Sequence, residues 1–182
     1  MKARRGAYLK GQGGYTLIEV IISVAIGAIL MAGLSSVVLT SVRASSVAAS
    51  RVEASSQIRS FQFFAYDDFA HSGLSGLSGC TQGAPCTTQA ITLTGTQVNA
   101  SGQPIGTHTV TYTWDGSNDL DRSAGGAPIH AASDVSSFSW YVVSGPGLST
   151  VVVNITVTVP EAGMGQAYSE SQNFIFYPRV NP

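Results

Sequence analysis

The chain has 182 residues, a formal net charge of −1, only 10% charged side chains, 44% hydrophobic residues and 20 Gly. That length suits one ordinary domain, or a small domain with an appended segment, and the composition excludes a charged disordered tail. A nucleic-acid partner is not expected either, because beyond residue 14 the five Arg are scattered singly and form no basic cluster to displace counterions.

The charge is unevenly placed. Lys2, Arg4, Arg5 and Lys10 give residues 1–14 a charge of +4 with no acid, and the rest of the chain sets five Arg against ten acids. Between Lys10 and Arg43 the only ionisable side chains are Tyr15 and Glu19, and Val20 to Leu39 are 20 residues without a charge. As a helix these span roughly 30 Å, the thickness of a bilayer's hydrocarbon core. The basic cluster before them keeps the N-terminus cytoplasmic and puts the chain after Arg43 outside. A buried core helix would not need that length or that cluster. A cleaved secretory signal, cut near Ala44 or Ala48, and a plain signal anchor both fit the pattern. Neither explains Glu19, an acid inside the apolar run that needs a partner.

The run reads GGYTLIEVIISVAIGAILMAGL. Gly14, Tyr15, Thr16, Leu17, Ile18 and Glu19, followed at once by the apolar stretch, resemble the type IV pilin superfamily, which includes pilins and pseudopilins. The resemblance implies that a membrane-embedded prepilin peptidase cuts after Gly14 and that Tyr15 is N-methylated. The leader 1–14 is then lost, and the transmembrane helix 15–42 stays in the mature protein. It implies an assembly role for Glu19, paired with the amino group of Tyr15 on a neighbouring subunit; such a pair in low dielectric fixes the stagger of helices more than it adds stability. The implied partners are other pilin or pseudopilin subunits, the prepilin peptidase, an inner-membrane assembly platform and, before assembly, lipid. Two departures stand out. Tyr15 replaces the commonest Phe, and no proline occurs before Pro85, although many major pilins carry one in the membrane helix. The second departure points to a minor subunit.

From 43 to 73, apolar residues recur at Val47, Ala54, Ile58, Phe61, Ala65 and Phe69, all helical intervals. With no Gly or Pro from Leu34 to His71, one helix is predicted from about Tyr15 to the end of this stripe, its second half amphipathic. Phe61, Phe63, Phe64, Tyr66 and Phe69 are expected as a core stripe under a sheet, and Asp67 and Asp68 as solvated helix-end residues. The helix is expected to fray at the SGLSGLSG run, residues 72–79.

Residues 74–182 read as a small extracytoplasmic β domain. Cys80 and Cys86, the only cysteines, sit in a half placed outside, so a disulfide closing a small loop is expected. Alternating β-branched and aromatic stretches at 90–98, 107–114, 135–143, 150–159 and 172–177 predict an antiparallel sheet of four or five strands on the long helix. Turn signals lie at Asp115-Gly116 and at 144–147. The fold class is therefore α+β, with Phe138, Trp140, Val151, Val153, Ile155, Phe174 and Phe176 facing inward. Asp115, Asp119 and Asp121 have the spacing of a calcium loop, but Leu120 takes the place of the required glycine and no Glu closes the loop, so a solvated turn is the stronger reading. A second, weaker resemblance, carried by the helix end QIRSFQFFAYDDFAHSG, by VTYTWDGSNDLDRS and by VSSFSWYVV, is to J-type pseudopilins and W-type minor pilins, and it puts Leu120-Asp121-Arg122 in a loop. No catalytic motif or phosphate-cradling loop occurs, and no enzyme activity or cofactor is expected.

Overall fold

In the computed structural model the described residues are 14–73, 77, 79–101, 103–145, 148–160 and 167–178. The leader residues 1–13, residues 74–76 and 78 of the SGLSGLSG run and residues 146–147 of the second turn signal lie outside them. The chain divides into two compact units, Met1–Ala44 and Ser45–Pro182. The first helix, α1, runs Leu17–Ala70, close to the bounds that the apolar run and its amphipathic continuation predict.

In the first unit the helix is apolar all round, and none of its residues from 17 to 44 is buried. It is long and apolar enough to cross a bilayer. Its hydroxyls fit that environment, because Ser23, Ser35 and Thr40 donate to the carbonyls of Glu19, Met31 and Ser36 four residues earlier. Each of these three hydroxyls is thereby satisfied within the helix, as a nonpolar solvent requires.

In the second unit the helix buries one face: Ser50, Ala54, Ile58, Phe61, Ala65, Asp68 and Phe69. Around it are two antiparallel sheets, where the sequence suggested one. The first is β1 (Ile91–Val98), β2 (Pro104–Trp114), β3 (Leu120–Ser123) and β4 (Ile129–Ala132), in that order, and the second is β5 (Val135–Gly145), β6 (Leu148–Pro160) and β7 (Ala167–Phe176). The five anticipated strands are all present, with β2 and β7 starting earlier than predicted. Strands β3 and β4 are additional, and Leu120-Asp121-Arg122 lies in a strand where a loop was expected. Four residues with two charges give too short an alternation to stand out, and Tyr112↔Arg122 and Thr113↔Asp121 pairing with β2 fixes them as strand.

Phe61 joins the layers. Its ring meets Tyr112 of the first sheet at 5.8 Å and Phe138, Phe174 and Phe176 of the second at 5.6 to 6.4 Å. Phe69 stacks on Phe176 at 4.2 Å. Of the seven residues expected inward, six are buried and Phe174 is half-buried. The aromatic stripe of the helix is narrower than expected: Phe63 and Tyr66 are 77% and 72% exposed. At about 100° per residue they fall on the face opposite Phe61 and Ala65.

The helix ends where Ser72 turns its hydroxyl back to the Asp68 carbonyl and the His71 amide bonds the Asp67 carbonyl. Gly73 then donates to Thr94 of β1 at 2.9 Å. The crossing is close, and a side chain at Gly95 would run into the His71 carbonyl.

Candidate functional site

The N-terminal segment is built around Thr16. Its carbonyl accepts from the amides of Glu19 at 3.0 Å and Val20 at 3.3 Å, and its hydroxyl lies 3.4 Å from the Glu19 amide. Thr16 thus caps α1, and Thr16-Leu17-Ile18-Glu19 has the spacing of a capping box. The capping spacing was readable in the sequence but is overshadowed by the apolar run. Glu19 stands in the first turn of the helix, where unpaired amides give the end a partial positive charge that favours an acid. Gly14, Tyr15 and Glu19 are all exposed, so both the expected cut and the acid are open to other molecules.

A second arrangement joins the helix end to the first sheet. Asp68 is 6% exposed. Arg122 grips its carboxylate with Nε at 2.6 Å and Nη2 at 2.7 Å, and the Tyr112 hydroxyl donates to Oδ2. The pair Asp67 and Asp68 is therefore split: Asp67 is exposed, and Asp68 is a core residue held by two partners. This corrects the reading of both as solvated. The reason is positional, since Asp68 follows Ala65 by three residues and so lies on the buried face. Burial raises the Tyr112 phenol well above its ordinary value, and the Asp68 carboxylate adds to the effect. The Asp68 hydrogen bonds likewise raise the Arg122 guanidinium, which is charged at any pH the protein meets. Arg122 also covers the Phe64 ring, 5.4 Å from its centroid. Beside this network an open depression of about 590 Å³ is lined by Arg59, Phe63, Phe64, Tyr66 and Arg122 among others.

Cys80 and Cys86 are joined in a disulfide. The loop it closes lies along β5: the Cys86 and Trp140 backbones exchange hydrogen bonds at 2.9 Å, Val142 donates to the Cys80 carbonyl at 2.9 Å, and the Trp140 indole donates to Gln89. The aspartates with calcium-loop spacing have other engagements. Asp115 accepts from the amide and hydroxyl of Ser117, which holds its carboxyl below the ordinary range. Asp121 contacts His130 across β3 and β4 at 2.8 Å. Among the described residues no group of three or more His, Cys, Asp or Glu side chains gathers as a metal site would need.

Residues 9–35 match the prokaryotic N-terminal methylation motif, the prepilin-type signal of type IV pilins and pseudopilins. Comparison with the curated proteins and with the solved structures finds no match. The motif and the apolar helix behind it make the N-terminal segment pilin-like, with a membrane anchor, and they imply processing by a prepilin peptidase and assembly with other pilin-type subunits. They indicate a structural subunit in preference to an enzyme.

Proposed function

We propose that the chain is a minor pilin or pseudopilin that helps to initiate or build a type IV pilus or a type II secretion pseudopilus. It enters the cytoplasmic membrane with its N-terminus inside and its β domain outside, is cut after Gly14, and is methylated on Tyr15. An inner-membrane platform then draws it from lipid into a filament. The observation that carries this reading is an uncovered apolar helix of membrane-spanning length directly behind the methylation motif. None of residues 17–44 is buried in the protein's own fold, so a stretch this apolar needs lipid or other chains to cover it. Gly27 and Gly33 have open space where a side chain would project, which permits close approach of neighbouring helices. Glu19, one turn into the helix, answers the amine freed at Tyr15 of the next subunit. The absence of a proline from the helix supports the minor role.

Mass spectrometry of the mature chain tests the proposal: a polypeptide beginning at methyl-Tyr15 and present at trace level in sheared filaments is expected. A mature form beginning beyond residue 43 would make the helix a discarded export signal. An abundant filament component would instead indicate a major pilin or a competence pseudopilin. A chain anchored at Tyr15 but missing from filaments would be a periplasmic domain that does not polymerise.

A further inference from the structure

The two sheets have four edges, and three of them are blocked against addition of another strand. β4 has only four residues. β1 ends in an irregularity at Gln97/Val98 and is bridged by Gly73 to Thr94. β5 is covered by the disulfide loop through the Cys86–Trp140 and Cys80–Val142 hydrogen bonds. Short length, bulges and covering loops are the usual means of guarding an edge.

β7 has none of these. Its ten residues pair with β6 from Val151↔Phe176 to Pro160↔Ala167 without a register shift, and among the described residues no strand or bridge lies on its far side. It contains no Lys, Arg or Pro. Its one charge, Glu170, is turned to the helix and accepts from the Ser55 hydroxyl at 2.9 Å. Ser169, Ser171, Asn173 and Ile175 are exposed on the outer face. Gln172 is exposed too, although it alternates with Phe174 and Phe176 on the side facing the helix, so this margin is open from both faces.

We propose that the β7 edge receives an extended strand from a neighbouring, non-identical subunit and enlarges the β5-β6-β7 sheet to four strands. The amides and carbonyls that alternate residues of β7 turn away from β6, unpaired among the described residues, are matched by another extended backbone, with side chains selecting which one. On the outer face Ser169 and Ser171 share hydrogen bonds with Thr158 and Thr156 of β6 at 2.8 and 2.9 Å, and a strand with hydroxyl or amide side chains on that face would extend this ladder past Asn173. Glu170 selects a Lys or Arg beside it, which β7 of a second copy does not offer. The inference rests on the subunit reading only for the kind of neighbour.

The test places the photo-reactive p-benzoylphenylalanine at Ser171 in the full chain, in its host cells, and maps the adduct after irradiation. An adduct to an extended, Lys- or Arg-bearing segment of another polypeptide is expected. Paired Ser169→Lys and Asn173→Lys should reduce it at least tenfold, whereas Ser137→Lys, on the outer face of β5, should leave it unchanged. An intact Cys80–Cys86 disulfide in each variant reports folding. The proposal is overturned by no adduct, by an adduct to a helix or to a second copy, or by one indifferent to the β7 lysines. A chain found in sheared filaments without the adduct loses only the strand addition; an adduct without filament entry keeps the strand addition and removes the subunit reading.

Discussion

Truncating Arg122 to Ala leaves the Asp68 carboxylate inside the protein with the Tyr112 hydroxyl as its remaining partner among the described residues. Removing one member of a buried ion pair costs about 3 to 5 kcal/mol, whereas replacing both with apolar groups costs far less. Arg122→Ala should therefore destabilise the detergent-solubilised chain by about 3 kcal/mol in urea unfolding, and Asp68→Leu together with Arg122→Met should restore most of the loss. Tyr112 gives a pH signature. Folding raises its phenol above the ordinary 10.0, so its contribution is complete below about pH 10 and is lost as the pH climbs further and the unfolded chain ionises. In Tyr112→Phe the fall in stability above pH 10 should be shallower than in the parent, and below pH 10 the variant should be weaker by about 1.5 to 3 kcal/mol, the worth of a hydrogen bond to a charged group. A parallel slope in both proteins would exclude the phenol. At this scale the sequence was half legible. The spacing of Ala54, Ile58, Phe61, Ala65 and Phe69 marks the buried face, and Asp68 lies on it. Its partners, 44 and 54 residues further on, leave no local trace.

Elements are placed against one another through a few close crossings. At Gly95 the helix end passes so near β1 that an added methyl group meets the His71 backbone, which cannot swing aside as a flexible side chain would. Gly95→Ala should lower the thermal midpoint by several degrees, consistent with an overpacking cost of about 1 to 3 kcal/mol; an unchanged midpoint would show that the helix end yields. The disulfide loop lies along β5, so Cys80→Ser with Cys86→Ser should cost about 2 kcal/mol, the value for closing so short a loop. The same variant should raise hydrogen exchange at Trp140 and Val142, whose amides it uncovers. Five strands were readable because each is long enough to alternate visibly. β3 and β4 were not, because strands of four residues owe their conformation to β2 and to each other. The division into two sheets was hidden as well, since alternation tells which side chains share a face and says nothing of which strands are neighbours.

For the whole molecule, the proposed function makes the N-terminal segment the part that governs processing and entry into a filament. Gly14→Val should leave full-length precursor in the membrane, visible as a slower band on gels; efficient trimming of that variant would move the cut elsewhere. On the proposed docking role of its acid, Glu19→Ala should be trimmed normally yet recovered in sheared filaments at a small fraction of the parent level; normal filament entry would remove that role. This segment was the most legible part of the chain. Charge, run length and a solitary acid are one-dimensional signals that need no partner distant in sequence.

The contacts of Phe61 and Phe69 with Phe174 and Phe176 also set an order of events during synthesis. Both halves of that cluster are needed, and the second half stands in β7, the last strand of the described chain. A nascent polypeptide whose long helix and first six strands are already made still lacks the rings that close over the helix. The cluster over the helix therefore closes only once β7 has been made, and a stop codon ahead of Phe174 would yield a product with that helix face uncovered and open to proteases.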